Sequence, residues 1–131
     1  MTSDLNLSAG LIFIVEDNAM YARVLEMFLK NRFPGTEVEI FEGDAVQSNL
    51  HKNPDFIIMD YYLDGSQPNA PTGLAISKDI KSKKPETKIF MLSGQQDIKI
   101  ALAVKAAGCL YLVKNESAFQ NLEELIVRDL K

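Results

Sequence analysis

The chain has 131 residues, 47% hydrophobic and 24% charged, the proportions of one globular domain around a single core. A net charge of -4 and a pI near 5.0 exclude a global attraction to nucleic acid or to an anionic membrane surface, so neither is an expected partner. The lone cysteine, Cys109, excludes an internal disulfide, and no apolar run reaches the roughly 18 residues that span a bilayer. A reducing, cytoplasmic location is the expectation.

Residues 1–9 contain Asp4 and no basic segment, so they read as a short flexible leader and not as a signal peptide. The domain is expected over 10–131. The first apolar run, 11–15, reads as a strand and leads straight into Glu16-Asp17. Asn18 is placed to cap a helix over 19–31, which carries Met20, Val24, Met27 and Phe28 at helical spacing. A second strand covers 37–41. A short, weak helix over 43–51 ends at His51, beside Lys52-Asn53-Pro54, and that histidine is given no role.

The third strand, 56–59, ends at Asp60, a carboxylate where a buried run gives no structural reason for one. A third helix over 72–82 opens near Thr72-Gly73-Leu74 and dissolves into Lys81-Ser82-Lys83-Lys84-Pro85. The fourth strand, 89–92, runs into Ser93-Gly94. A helix over 96–107 stops at Gly108, a natural residue for the position past a helix end. The fifth strand, 109–113, alternates Tyr111 with Leu110 and Leu112 and leads into Lys114. In it Cys109 reads as a small buried residue. The last helix, 117–130, has Ser117 and Gln120 spaced as a capping box, then Leu122, Leu125, Ile126 and Leu130 on one face.

Strands alternating with helices predict an α/β fold with a doubly wound, five-stranded parallel sheet. The expected order is 2-1-3-4-5, the flavodoxin-like arrangement, whose switch point lies between strands one and three. Glu16, Asp17 and Asp60 all fall there. Clustered carboxylates repel unless a cation is present. Mg²⁺ suits one or two carboxylates, keeps several waters and bridges to phosphate. Asp17 and Asp60 are the candidate direct ligands, with Glu16 acting directly or through water. Lys114 offers a point charge for a phosphoryl oxygen, Ser93 a hydroxyl, and the Ser93-Gly94 turn backbone N–H groups near a helix start. The set points to phosphoryl transfer, with the Asp60 carboxylate as nucleophile.

Each residue taken singly has a plainer explanation. An aspartate ending a strand is most often a turn former, an acidic pair before Asn18 serves capping, and a lysine after a strand is most often solvated. Their joint occurrence, each at the correct end of a strand, favours the site.

These segments resemble the response-regulator receiver domains of two-component signalling over about 10–130. The matching stretches are Ile14-Val15-Glu16-Asp17-Asn18, Pro54-Asp55-Phe56-Ile57-Ile58-Met59-Asp60, Met91-Leu92-Ser93-Gly94 and Ala107-Gly108-Cys109-Leu110-Tyr111-Leu112-Val113-Lys114. The resemblance implies that Asp60 is the phosphoacceptor, and that Glu16 and Asp17 hold Mg²⁺ with the backbone carbonyl of Tyr62. It also implies that Ser93 is the switch hydroxyl, Lys114 the phosphate-pairing lysine and Tyr111 the switch aromatic. The implied phosphoryl donor is a histidine kinase or phosphotransfer protein, and the group is slowly hydrolysed afterwards.

Three departures stand out. Asn115 occupies the usual place of a proline, for which a trans Lys114–Asn115 peptide is expected. The loop from Leu63 to Gly73 is several residues longer than the family's. Tyr62 and Gln95 flank the expected path of the hydrolytic water. The reading is a phosphoacceptor domain that either docks on an output partner or relays the group, as a stand-alone protein or a piece of a longer regulator. The alternatives are an interaction module that keeps the fold without phosphorylation, and a flavin mononucleotide binder. The acidic crevice argues against the flavin, since it repels an anionic phosphate.

Overall fold

The computed structural model describes residues 7–61, 72–94 and 97–131. The apolar runs form strands β1 (Leu11–Val15), β2 (Glu37–Phe41), β3 (Phe56–Asp60), β4 (Lys88–Ser93) and β5 (Leu110–Val113). Helices α1 (Ala19–Arg32), α2 (Gly73–Lys83), α3 (Ile98–Ala106) and α4 (Ala118–Leu130) alternate with them, and a 3₁₀ segment, Gly43–Lys52, joins β2 to β3. All four strand pairings are parallel, in the order β2-β1-β3-β4-β5. The expected order holds. The whole of the central strand β3 is buried, which is why its sequence runs apolar without alternation.

Strand alternation sends neighbouring side chains to opposite faces. Ile12, Ile14, Phe56, Ile58, Phe90 and Leu92 pack on one face with Ala22, Leu25 and Leu29 of α1 and Leu122 and Ile126 of α4. Phe13, Val15, Ile57, Met59, Ile89 and Met91 pack on the other, against Ile76 and Ile80 of α2 and Ile100 and Val104 of α3. Cys109 is buried there, as expected, and burial pushes its thiol pKa up.

Several local expectations need correction. In α1 the stripe of Met20, Val24 and Met27 faces solvent, with Met20 77% and Met27 69% exposed; Ala22, Leu25 and Leu29 meet the sheet instead. The expected helix over 43–51 is a 3₁₀ segment. Ser48 Oγ and Asn49 Nδ2 both donate to the Ala45 carbonyl oxygen, at 3.1 and 3.0 Å, offering the backbone local bonds that compete with an α-helical ladder. The capping box does not form: Ser117 makes no side-chain cap bond. Asn115 Oδ1 accepts from the Ser117 N–H at 2.9 Å in its place. Cys109 lies in the turn that closes α3, just before β5. Gly108 takes φ +83° while its own N–H and that of Cys109 donate to the carbonyls of Lys105 and Val104. Asn18 caps α1 as expected, its side chain accepting from the Tyr21 N–H at 3.0 Å.

Of the leader, residues 1–6 lie outside the described residues. Its last residue, Ala9, is buried and donates its N–H to Thr36 Oγ1 at 2.8 Å. The long loop is described only from Thr72 on.

Candidate functional site

The same alternation that divides the core divides the polar residues. Continuing each strand, Glu16, Asp60 and Lys114 fall on the α1/α4 face, in step with Ile14, Ile58 and Leu112. Ser93 and Tyr111 fall on the α2/α3 face, in step with Met91. The pairing Met91↔Tyr111 and Ser93↔Val113 makes Ser93 and Tyr111 diagonal neighbours on adjacent strands. The crevice thus has a charged side and a hydroxyl–aromatic side, meeting at the carboxyl ends of β1, β3, β4 and β5.

On the charged side, Glu16 is only 4% and Asp60 9% exposed. Lys114 Nζ donates to Glu16 Oε1 at 2.7 Å and stands 3.7 Å from Asp60 Oδ1. Glu16 Oε2 accepts from the Asn18 N–H at 3.0 Å, so both oxygens of Glu16 are engaged. Asp17 Oδ1 accepts from the Gly43 N–H at 3.2 Å, tying the β1 loop to the start of the 3₁₀ segment. Among the described residues no three His, Cys, Asp or Glu side chains stand together as a complete metal-binding group. Glu16 and Asp60, which both face the Lys114 ammonium, are oxygen donors of the kind a hard divalent cation takes.

The Lys114 backbone is anchored as well: its N–H donates to the Ser93 carbonyl at 2.7 Å. The Lys114–Asn115 peptide is trans, as expected. With that trans peptide, Lys114 Nζ stands 3.7 Å from Asp60 Oδ1. Ser93 is fully buried, and Tyr111 is half-buried against the α2/α3 core. Gly94 has no positive φ, and a Cβ added to it would meet nothing within 4 Å. Helix α3 begins only at Ile98, where Asp97 Oδ1 accepts from the Lys99 N–H. The helix start expected beside Gly94 therefore lies further along the chain. Tyr62 and Gln95 fall outside the described residues.

The sequence pattern leaves two residues of the site unmarked. A Cβ on Gly73 would collide with the Asp60 carbonyl oxygen, and the Gly73 N–H donates to the Tyr61 carbonyl at 2.9 Å. Glycine there lets the start of α2 press on the backbone of Asp60. Its signal is glycine at a first helical position, where it lowers helix propensity. The second is Tyr21, whose ring lies 4.2 Å from Lys114 Nζ. Burial first, then the negative charges of Glu16 and Asp60, push its hydroxyl pKa up to about 12. No sequence signal marks it apart from other aromatic residues on an amphipathic helix.

Comparison with known proteins agrees with this geometry. The model of the response regulator receiver domain family matches residues 12–127. The transcriptional regulatory protein RstA of Escherichia coli K12 is 26% identical over 103 residues, covering 79% of this chain and 41% of RstA. The DNA-binding transcriptional regulator NtrC of the same strain is 27% identical over 108 residues, 80% of this chain and 22% of NtrC. The chain thus spans less than half the length of either relative. The crystal structure of the signal receiver domain of a DNA-binding response regulator from Colwellia psychrerythraea 34H superposes with a TM-score of 0.80 at 25% identity, covering 92% of this chain and 98% of that one. With the sheet order, the crevice and the matched residues in agreement, the chain belongs to the response regulator receiver domain family of two-component signalling.

Proposed function

We propose that the protein is a phosphoacceptor: Asp60 takes a phosphoryl group from a histidine kinase or phosphotransfer protein and, so modified, alters a partner-binding surface. One observation carries the reading. A lysine ammonium stands 3.7 Å from a buried aspartate at the switch point of a doubly wound sheet, with a second buried carboxylate beside it.

An oxygen of Asp60 attacks phosphorus in line, the P–O bond forms, and the donor's P–N bond breaks with its imidazole as leaving group. Lys114 neutralises charge on the phosphoryl oxygens and fixes their position. Asp17 and Asp60 are the residues that would hold Mg²⁺, with Glu16 acting through water and the carbonyl of Tyr62 as a further ligand. Bound there, the ion supplies the positive charge that a loose phosphoryl-transfer transition state requires. Backbone N–H groups at Gly94 are further donors to the phosphoryl oxygens.

Ser93 and Tyr111 form the proposed switch. A phosphoryl oxygen draws in the Ser93 hydroxyl, and the space it leaves admits the Tyr111 ring, a local change that biases a two-state surface including α3. Their diagonal pairing on β4 and β5 supports this coupling. Among the described residues no helix is long and apolar enough to cross a membrane.

The acceptor is identified by borohydride reduction after treatment with acetyl phosphate and Mg²⁺. Reduction converts an aspartyl phosphate to homoserine, and peptide mass spectrometry is expected to find that change at residue 60. Homoserine at another position, or none, contradicts the assignment.

A further inference from the structure

Tyr21 sits on the first turn of α1, outside every residue that the sequence pattern marks for the site. Two contacts fix its ring. One face meets the Lys114 ammonium, 4.2 Å from the ring centroid. The ring also makes a T-shaped contact with Phe119 of α4, with centroids 5.6 Å apart and planes at 71°. Phenylalanine would make both contacts equally well.

What phenylalanine lacks is the hydroxyl. That group is buried and has no hydrogen-bond partner among the described residues. Glu16 is close enough to act on it by charge, yet its oxygens accept from Lys114 and from the Asn18 N–H and not from this hydroxyl. A buried donor without an acceptor costs stability, so its presence beside an anion-handling site has a functional explanation where packing supplies none. A phosphoryl group on Asp60 brings three strong acceptor oxygens into that crevice.

We propose that Tyr21 is a phosphate-handling residue, its ring positioning the Lys114 ammonium beside Asp60 and its hydroxyl donating to an oxygen of the phosphoryl group. The inference rests on the assignment of Asp60 as acceptor. The ring supplies a cation–π contact that holds the lysine over the carboxylate in the unmodified protein. The hydroxyl then finds its acceptor only after modification, which makes it a ligand of the phosphorylated state alone.

The test compares the full chain with Tyr21→Phe and Tyr21→Leu, using beryllofluoride with Mg²⁺ as a tetrahedral phosphoryl surrogate on the carboxylate. Without the surrogate, Tyr21→Phe is expected to melt at or above the wild-type temperature. With it, Tyr21→Phe is expected to bind about tenfold more weakly than wild type. In the wild type the ζ-carbon resonance of Tyr21 moves when the surrogate binds. A packing role predicts the opposite pattern: a lower melting temperature without ligand and unchanged affinity. Tyr21→Leu, which also lacks the ring, is expected to be labelled by acetyl phosphate more slowly than Tyr21→Phe. Wild-type affinity in Tyr21→Phe with a static resonance overturns the hydroxyl's role, and equal labelling rates in the two variants overturn the ring's. If the wild type binds no surrogate, or Asp60→Asn binds it equally, the assignment of Asp60 fails and this inference with it.

Discussion

Lys114 Nζ lies 2.7 Å from Glu16 Oε1, an ion pair between residues 98 positions apart. In the sheet, β5 is separated from β1 by β4 and β3, so the pair spans the end of β3, where Asp60 Oδ1 lies 3.7 Å from the same ammonium. It closes the charged side of the crevice and leaves the ammonium where a phosphoryl oxygen can draw it.

Removing the lysine takes away the ammonium that faces two buried carboxylates, Glu16 and Asp60. Lys114→Met is expected to lose about 2–3 kcal/mol of stability in the absence of Mg²⁺, measured by urea denaturation. The double variant with Glu16→Gln is expected to lose less than the sum of the single losses, because the neutral amide no longer needs the ammonium. Additive losses would show that the two side chains do not interact.

Gly73→Ala pushes a methyl group into the Asp60 carbonyl oxygen. The expected loss is about 2–3 kcal/mol in urea denaturation, because backbone has to move on both sides. Gly94→Ala meets nothing within 4 Å and needs no positive φ, so it is expected to stay within about 0.5 kcal/mol of wild type. Equal effects at the two glycines would remove the steric argument.

The acidic pair is not symmetric. Both oxygens of Glu16 accept hydrogen bonds within the protein, and its longer side chain is the one that a water bridge replaces more readily. Asp17→Ala is therefore expected to weaken Mg²⁺ binding at least about tenfold, and Glu16→Ala by less, in calorimetric titrations. Unchanged affinity in Asp17→Ala would reject it as a ligand.

Much of this is legible in the chain itself. Five apolar runs and the polar residues that end them imply the sheet order and put Glu16, Asp17, Asp60, Ser93 and Lys114 at one end. Strand ends are readable because a buried carboxylate after Phe56-Ile57-Ile58-Met59 contradicts its surroundings. Helix faces are less readable. Met20, Val24 and Met27 have the period of a buried stripe, yet the smaller Ala22 meets the sheet, since close packing of α1 selects size as well as polarity. Ser117 has the sequence of a cap, but the Asn115 side chain takes the Ser117 N–H and the cap bond is not made. Tyr21 and Gly73 are brought against Lys114 and Asp60 by the fold; Gly73 leaves the weak signal of a glycine at a first helical position, and Tyr21 leaves none.

The raised hydroxyl pKa of Tyr21 has a consequence at high pH. In the folded protein the group titrates near 12, against an ordinary 10.0 once unfolded. Below pH 10 both states hold the proton and the contribution is fully present. Between 10 and 12 the unfolded state loses its proton first, so stability falls as pH rises through that window. Tyr21→Phe is expected to show a shallower loss of stability over the same range in pH-dependent denaturation. Identical slopes would show that Tyr21 is not the shifted group.

The most direct measurement is the intact mass of the protein after incubation with acetyl phosphate, with and without Mg²⁺. The wild type is expected to gain the mass of one phosphoryl group in a form that hydrolysis removes. Asp60→Asn is expected to gain none, and excess chelator to suppress the gain in the wild type. A modification that persists in Asp60→Asn, or forms equally well in chelator, would contradict the assignment of Asp60 as a Mg²⁺-dependent phosphoacceptor.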